Sequence, residues 1–288
     1  MTLRDFVLAI LVAVLWGLAF VATRIGLDEL SPPQLVAARF LVAAVPVLWI
    51  ARPPASWPAL CAVGLTLFAG QFLFQFFGIA AGMPPGLAAI VVQSQALFTI
   101  ALAALLIRER PTRRQLAGLA IGAAGLVVIA LTVGADLSAA GLALTLVSPV
   151  SFAVGNLLWK RLPSAAPVAL VAWLSLVPPV PALLVALALD GPRALTGAPA
   201  MLSWRGIAAA IYLGAVATVL AYAIWGDLLR RYPTAMVTPF ALLVPFVAAA
   251  SSALVFGERF RGLRLLGMAL VLAALAVIVA PARREAIA

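Results

Sequence analysis

The sequence predicts an all-α integral membrane protein of ten transmembrane helices, arranged as two five-helix inverted repeats. Of the 288 residues, 66% are hydrophobic and only 10% are charged, and the mean hydropathy is +1.19. Too few polar side chains remain to cover a soluble globule. Runs such as residues 116–131 are apolar on every helical face, which favours helices over the alternating strands of a membrane β-barrel.

An internal repeat gives the arrangement. Residues 84–129 recur 149 positions later as residues 233–278 without a gap. The matched pairs are Glu109/Glu258, Arg110/Arg259, Leu116/Leu265, Gly118/Gly267 and Ile129/Ile278. We count five membrane crossings between the two Glu-Arg pairs, and an odd number of crossings places them on opposite faces of the bilayer. The repeats, residues 1–133 and 134–288, are therefore predicted to be inverted, as in many secondary transporters.

The first repeat contains five apolar segments of spanning length. We place them at residues 5–24, 33–50, 58–78, 85–107 and 114–132. The first segment lacks a small-residue cleavage pattern, so we interpret it as a retained helix rather than a signal peptide. The second contains Pro46, which predicts a break. The fifth carries Gly118 and Gly122 at GxxxG spacing, which predicts close helix association, within the chain or between two copies.

The second repeat contains five further segments, at residues 139–159, 167–189, 205–226, 234–256 and 263–280. A shift of 136 residues places Trp16 on Phe152. Prolines 178, 179 and 181 lie in the seventh segment at a depth similar to that of Pro46 in the second. Matched helix breaks predict the substrate path, because they supply polar backbone groups. Alternatively, each proline only adjusts helix packing.

The distribution of basic residues orients the chain. With the amino terminus in the cytoplasm, twelve of the nineteen Lys and Arg residues fall on the inner side. These are Arg4, Arg52, Arg108, Arg110, Arg113, Arg114, Lys160, Arg161, Arg230, Arg231, Arg283 and Arg284. The outer side receives five, including Arg193. The positive-inside rule therefore predicts that both termini are cytoplasmic.

Several classes of function are disfavoured. The net charge of +10 comes from short clusters at helix ends rather than a basic stripe, so no nucleic-acid partner is expected. One cysteine, Cys61, lies in an apolar segment and histidine is absent, so we expect no metal site and no cofactor. HExxH, GxSxG and GxxxxGK[ST] motifs are absent, which argues against an enzyme and against an ATP-driven pump.

Short motifs run from the first predicted helix to the tenth. They are Trp16-Gly17-Leu18-Ala19-Phe20, Arg39-Phe40, Pro84-Pro85-Gly86-Leu87-Ala88, Gln93-Ser94-Gln95, Glu109-Arg110 with Gly118, Gly155-Asn156, Gly226, Pro245 and Glu258-Arg259. In this order and spacing the chain resembles an EamA-domain member of the drug/metabolite transporter superfamily. Within it, the chain is similar to bacterial exporters of amino acids and their derivatives.

This resemblance implies a basket-shaped inverted repeat in the bacterial inner membrane. Its central cavity would be lined mainly by helices 1 to 4 and 6 to 9, with helices 5 and 10 peripheral. The expected partners are the lipid bilayer and a small-molecule substrate: aromatic and other neutral amino acids, and compounds like cysteine and O-acetylserine. The protein would be a monomer or a homodimer.

Arg39 is the one cation well inside a predicted span, roughly 9 Å from the start of the second helix. A charge at that depth needs a carboxylate, helix-end carbonyls or a wet cavity. Its bidentate guanidinium suits the carboxylate of an amino acid. The alternative is structural, with Arg39 joining helix ends near the outer face.

Uncharged polar and aromatic side chains complete the predicted cavity. The amides are Gln71, Gln75, Gln93, Gln95 and Asn156, and the aromatic residues are Trp16, Phe20, Trp159, Tyr222 and Trp225. The amides could hold a zwitterion without a fixed buried ion, or could instead bind helices together. Trp159 and Trp225 lie near cytoplasmic helix ends, as an inner gate or as interfacial anchors.

No carboxylate falls near the middle of a predicted span. Because intramembrane acidic residues usually mark proton coupling, their absence predicts facilitated uniport by alternating access. Proton-coupled efflux stays open, since Asp227 or Glu258 could reach inward from a helix end. A solute channel and a ligand-sensing scaffold also stay open, and the export direction follows only from the resemblance.

Overall fold

The computed structural model describes residues 1–134, 136–192 and 203–279, and its regular structure there is entirely helical. We number the main helices α1 (Leu3–Gly26), α2 (Pro32–Leu48), α3 (Trp57–Ala80), α4 (Pro85–Leu106), α5 (Arg113–Ala130), α6 (Ala139–Trp159), α7 (Pro167–Asp190), α8 (Trp204–Arg231), α9 (Thr238–Phe256) and α10 (Leu263–Val279). A short helix, Thr234–Val237, precedes α9. Among the described residues, eight of these helices are long and apolar enough to cross a membrane, and α2 and α10 are shorter apolar helices. Arg193, Arg283 and Arg284 lie outside the described residues.

Local sequence signals set the helix boundaries. Thr112 and Gln115 form a reciprocal capping box at the start of α5: the Gln115 amide donates to Thr112 Oγ1 at 3.2 Å, and the Thr112 amide donates to Gln115 Oε1 at 2.8 Å. These two bonds satisfy N–H groups that have no partner within the helix. Proline occupies the first helical position of α4 and α7, where its missing N–H costs nothing. Gly257 ends α9 in the left-handed conformation, with φ at 69°, which glycine adopts without strain.

Irregular segments in four of the helices are related in pairs by the 149-residue shift. In α3, residues Gly64–Gly70 form a π-helix, and in α8 residues Tyr212–Leu220 do the same. The helical hydrogen bonding of α4 is interrupted at residues 93–94, and α9 begins with a 3-10 segment, Thr238–Leu243. The duplication has thus kept the places where the backbone departs from a regular α-helix.

The breaks predicted at the prolines are also present. Pro46 lies in a 3-10 turn at the end of α2, and α7 is interrupted at residues 175–178, which include Pro178. Neither segment is among the residues that line the central cavity described below. A role of these prolines in the substrate path stays a prediction, without support from the cavity lining.

Helices α5 and α10 pack against each other beside the remaining helices. A methyl group added at Gly125 of α5 would lie 2.9 Å from the carbonyl oxygen of Gly267 on α10, so glycine allows the two backbones to approach closely. The glycine pattern of α5 therefore serves helix association within the chain. An ion pair fixes one end of this unit: Arg264 Nη2 lies 2.8 Å from Asp136 Oδ1 in the loop before α6. This guanidinium holds the pKa of Asp136 below its ordinary value.

Candidate functional site: a polar and aromatic cavity

A cavity of about 600 Å³ lies among α1, α2, α3, α4, α6, α8 and α9. Ten of the predicted site residues line it: Trp16, Phe20, Arg39, Gln71, Gln75, Gln93, Gln95, Asn156, Tyr222 and Trp225. No residue of α7 does, so the expectation that helices 6 to 9 all contribute needs correction. The volume falls in the range typical of small-molecule sites.

Trp159 is the predicted site residue that lies outside the cavity lining. It is the last residue of α6, almost one turn beyond Asn156, and it packs against the buried cluster that includes residues of α2, α3 and α7. Of the two tryptophans predicted near helix ends, only Trp225 faces the cavity.

The π-helical segments orient the cavity side chains. A π-helix leaves a backbone carbonyl available, and Trp16 Nε1 donates to Ala217 O in the α8 segment at 3.0 Å. Ser151 Oγ on α6 donates to Thr66 O in the α3 segment at 2.7 Å. The Trp16 ring lies 5.2 Å from the Trp225 ring and forms an aromatic wall with it. Irregular helix geometry therefore serves the site directly.

Arg39 brings an unbalanced charge to the cavity wall. Its side chain is 3% exposed, and its Nε and Nη2 atoms both donate to Thr218 Oγ1 at 3.1 Å. The guanidinium carbon lies 3.8 Å from the centre of the Phe72 ring, a cation–π contact. No carboxylate among the described residues forms an ion pair with Arg39. Arg39 does not bond helix-end carbonyls, so the geometry favours the cavity interpretation over the structural one.

One amide has an unsatisfied atom. Gln95 Oε1 is buried and has no hydrogen-bond partner in the described part of the chain. A buried acceptor without a partner is costly, and this one belongs to a side chain of the cavity wall. A donor on a bound molecule would satisfy it.

Several lining residues were missed, among them Thr23, Phe72, Phe152, Val92, Ala241 and Val244. Two signals could have found part of this set. Phe152 is the counterpart of Trp16 under the 136-residue shift, and Ala241 and Val244 are the counterparts of Val92 and Gln95 under the 149-residue shift. The repeat therefore predicts cavity positions even where the residue type is apolar.

The polar groups of the cavity are unequally divided between the repeats. The four glutamines and Arg39 come from the first repeat. The counterparts of the glutamines in the second repeat are Leu220, Ile224, Leu242 and Val244, all apolar. The second repeat contributes Phe152, Asn156, Tyr222 and Trp225. One side of the cavity is thus rich in amides, and the other is mainly aromatic and aliphatic.

The two ends of α4 differ in packing. Every residue from Pro85 to Val92 is buried, and this half shares a buried cluster with Val244 and Ala248 of α9. In the other half, Gln95–Leu106, only Leu97 and Ala103 are buried. The 3-10 start of α9, Thr238–Leu243, has no buried residue among those whose burial is described. Burial is therefore complete in the first half of α4 and sparse in the second half and at the start of α9.

A carboxylate holds the packed end together. Glu258 follows α9 and accepts a hydrogen bond from the Gly86 amide at the start of α4, at 3.2 Å from Oε2. It also accepts from Ser252 Oγ at 2.7 Å. An anion at a helix amino terminus is stabilised by the free N–H groups and the helix dipole. Burial nevertheless raises the pKa of Glu258 above its ordinary value.

Glu109, the counterpart of Glu258, lies beyond the opposite end of α4 and behaves differently. Its side chain is 57% exposed, and its carboxylate is 3.9 Å from Lys160 Nζ. The position equivalent to Gly86 is Ala235, in the short helix Thr234–Val237, and within the described residues Glu109 contacts Lys160 instead. We call the two ends of the bundle the Glu258 end and the Glu109 end. The described ranges contain no cluster of three or more His, Cys, Asp or Glu residues that could bind a metal.

The fold and the cavity together define a multi-pass helical membrane protein built around a solute-sized chamber. The sequence assigns this class further. The model of the EamA-like transporter family matches residues 4–131 and again residues 139–280. The chain belongs to the EamA-like transporter family, and each half carries one copy of the family domain.

Similar proteins cover nearly the whole chain. It is 42% identical over 282 residues to a probable amino-acid metabolite efflux pump of Salmonella typhimurium, covering 96% of this chain and 94% of that protein. It is 40% identical to the protein of that description in Escherichia coli, with the same coverage. A probable terminal-alkyne amino-acid exporter of Streptantibioticus cattleyicolor is 30% identical over 93% of this chain and 91% of its own length. A crystal structure with 18% identity superposes with a TM-score of 0.63, covering 96% of this chain and 97% of the other, and supports the fold.

Proposed function

We propose that this protein is a secondary transporter that exports amino acids and related small metabolites across the bacterial inner membrane. The observation that carries the proposal is the 600 Å³ cavity, lined by amides, aromatic rings and one arginine and located between the two family domains. The names of the related efflux pumps and exporter support the substrate class. The substrates we propose are aromatic and other neutral amino acids, and compounds like cysteine and O-acetylserine.

The division of the cavity suggests how such a substrate sits. Its polar head group would face the first repeat, where Arg39 and the glutamines lie, and its side chain would face Phe152, Tyr222 and Trp225 of the second. An apolar and aromatic wall accepts side chains of different shapes, because hydrophobic contact is not directional. This arrangement would accept substrates that share one type of polar head group but differ in their side chains.

Ten transmembrane helices in two inverted repeats, residues 1–133 and 134–288, form the proposed architecture. The two family domains, the matched π-segments and the location of Glu109 and Glu258 beyond opposite ends of α4 support it. Both termini would then be cytoplasmic, together with the Glu109 end, in agreement with the positive-inside rule. Labelling of Arg110→Cys and Arg259→Cys in a Cys61→Ala background tests this. An impermeant maleimide that reaches both positions from the same side would contradict the inverted arrangement.

The unequal burial of the two halves of α4 supports alternating access. We assign the structure to a state that is closed at the Glu258 end and open at the Glu109 end. We propose that in the opposite state Glu109 caps the helix that begins at Thr234, while Glu258 releases α4. Each carboxylate would thus act as a latch at one face, and the exchange of latches would open the cavity to one side at a time.

Transport would be facilitated uniport, because the described cavity lining contains no carboxylate or histidine that could carry a proton. Proton-coupled efflux and a solute channel are the competing mechanisms. Proteoliposomes loaded with labelled threonine, methionine or an aromatic amino acid distinguish the three, with cysteine and O-acetylserine as competitors. Uniport predicts saturable counterflow that a pH gradient does not drive uphill. Uphill accumulation driven by protons alone would contradict uniport, and a current without saturation would indicate a channel.

A further inference from the structure

We propose that the cavity selects amino-acid derivatives with a net charge of −1 over the zwitterionic parent amino acids, and that the membrane potential therefore drives their export. The inference rests on the proposed transport function and ranks the substrates: monoanionic derivatives of amino acids would be transported in preference to the neutral amino acids themselves. It starts from the charge of Arg39, which is fixed because a guanidinium does not lose its proton in proteins.

None of the acidic side chains in the described part of the chain lines the cavity. Each has a partner outside it or is exposed at a helix end. Asp5 pairs with Arg231, Asp28 with Arg24, Glu109 with Lys160, Asp136 with Arg264, and Asp227 with Arg230 and Arg231. Glu29 accepts from Ser203 and Glu258 from Gly86. Asp190 is exposed at the end of α7. The described lining of the cavity therefore carries one formal charge, which is positive.

The contacts of Arg39 leave this charge only partly compensated. Thr218 Oγ1 accepts from two of the guanidinium nitrogens, and the third, Nη1, has no acceptor among the described residues. The neighbouring Phe72 ring offers a cation–π contact but no hydrogen bond. A carboxylate on the substrate would supply the missing acceptor and the opposite charge.

Closure of the cavity makes the net charge of the substrate matter. When both ends close, water leaves and each uncompensated charge becomes more costly, because the local dielectric constant falls. A monoanion with Arg39 gives a neutral site. A zwitterion leaves one excess positive charge, since its ammonium group meets amides and aromatic rings but no carboxylate. The unpartnered Gln95 Oε1 needs an N–H or O–H donor, and the amide of an N-acyl amino acid supplies one without adding a positive charge.

The direction of transport follows from the same charge. The cytoplasm of a bacterium is electrically negative, so uniport of a monoanion runs outward down the electrical gradient. At 100 mV the equilibrium concentration ratio is about 50-fold in favour of the outside. A zwitterion gains nothing from the potential. An exporter of monoanions therefore needs no proton relay.

Three probes with one side chain and different net charge test the proposal at a pH of about 6, where the ammonium of an amino-acid ester stays mostly protonated: N-acetyl-L-methionine (−1), L-methionine (0) and L-methionine methyl ester (+1). Full-length protein in proteoliposomes is preloaded with each probe, and a potassium gradient with valinomycin sets the potential, with protein-free liposomes as the control. We expect saturable efflux of N-acetyl-L-methionine that accelerates when the lumen is negative, with a matching electrical current. Faster or equal transport of L-methionine, without response to the potential, would overturn this inference and leave the transport function standing. Failure of all three probes and of the amino acids named above would overturn the transport function as well.

Substitutions of Arg39 test whether this residue causes the preference for the monoanionic probe. Arg39→Gln should reduce the preference for N-acetyl-L-methionine over L-methionine by about 10- to 100-fold, the value of a charge-assisted hydrogen bond. Arg39→Lys should keep part of it. The matched control is Arg24→Gln, because Arg24 is exposed and pairs with Asp28. Thermal unfolding of the unaltered protein gives an independent readout, in which N-acetyl-L-methionine should raise Tm more than L-methionine does. Equal shifts, or the same loss in Arg24→Gln, would overturn the assignment.

Discussion

The proposed latch at the Glu258 end gives the sharpest prediction, and the substitution that tests it is Glu258→Ala. In the structure the Glu258 carboxylate accepts hydrogen bonds from the Gly86 amide at 3.2 Å and from Ser252 Oγ at 2.7 Å. Alanine removes both acceptors while the start of α4 stays buried. In the opposite state, water would solvate the same donors. The substitution should therefore disfavour the state that is closed at this end.

The magnitude follows from the donors left behind. A buried donor without an acceptor costs about 1 to 3 kcal/mol, and Ser252 can turn its hydroxyl to a backbone carbonyl one turn earlier in α9. The Gly86 amide has no such choice, so we count one lost bond. A cost of about 2 kcal/mol corresponds to a shift of roughly 30-fold toward the state open at the Glu258 end. Glu258→Gln keeps an acceptor oxygen and should shift the equilibrium less.

Accessibility labelling measures this shift. Ala241 lines the cavity, so Ala241→Cys in a Cys61→Ala background reports which face is open to an impermeant maleimide. In vesicles of defined orientation, Glu258→Ala should increase labelling from the Glu258 face and decrease it from the Glu109 face. The reciprocal variant is Glu109→Ala: Glu109 makes only a long, exposed ion pair in this state but would cap a helix in the opposite state, so its loss should shift the labelling in the opposite direction. An unchanged labelling ratio in folded Glu258→Ala protein, or the same shift in Glu109→Ala, would refute the latch.

Three further predictions follow from the structure. Because burial raises the pKa of Glu258, with Arg264 and Asp136 as the other charges acting on it, the closed state binds a proton more readily than a solvated carboxyl does. Protonation of Glu258 therefore stabilises the closed state at acidic pH, and this stabilisation is lost as the pH rises through the raised pKa. Acidification at the Glu258 face should reduce labelling from that face. Glu258→Gln should abolish this response to pH. Gly125→Val should destabilise the protein by about 1 to 3 kcal/mol, because the side chain would overlap the backbone of α10, whereas Gly134→Ala, in open space, should leave Tm unchanged. Asp136→Asn should lower the free energy of unfolding by about 1 kcal/mol, because it removes the partly exposed ion pair with Arg264. Urea or thermal unfolding in detergent measures this loss. High salt should reduce the difference in stability between the variant and the unaltered protein.

The sequence predicts the elements of this fold well because membrane helices leave strong signals. Each predicted span contains a helix in the structure. Such spans can be predicted because a helix that crosses a bilayer needs a long apolar run, and basic residues flank it. The motifs and the repeat also predict that Trp16, Arg39 and Gln95 share one cavity, as they do. Polar side chains in an apolar helix are costly against lipid, so they indicate the protein interior.

The helix breaks are only partly visible in the sequence. Proline predicts where a helix can break, and the breaks at Pro46 and Pro178 are present but lie outside the cavity lining. The interruptions that border the cavity instead fall at Gln93 and Ser94 and in the 3-10 segment that starts at Thr238. The first of these forms without a proline, and π-segments such as Gly64–Gly70 have no composition that distinguishes them. They arise from tertiary contacts, such as the bond from Ser151 to Thr66, which no local pattern contains.

The two repeats share irregular backbone segments but differ in the side chains that line the cavity. The irregular backbone segments of α3 and α4 recur in α8 and α9, and a carrier that exchanges two states needs matched joints in both halves so that neither state is much more stable than the other. The cavity side chains do not recur: the counterparts of Gln71, Gln75 and Gln95 in the second repeat are apolar. The proposed substrate, with one charged head group and one side chain, has no two-fold symmetry, so under the proposed function binding requires different side chains in the two repeats while the motion requires similar backbones. Restoring side-chain symmetry with Val244→Gln should therefore weaken binding of apolar side chains while leaving the labelling ratio of the two faces unchanged.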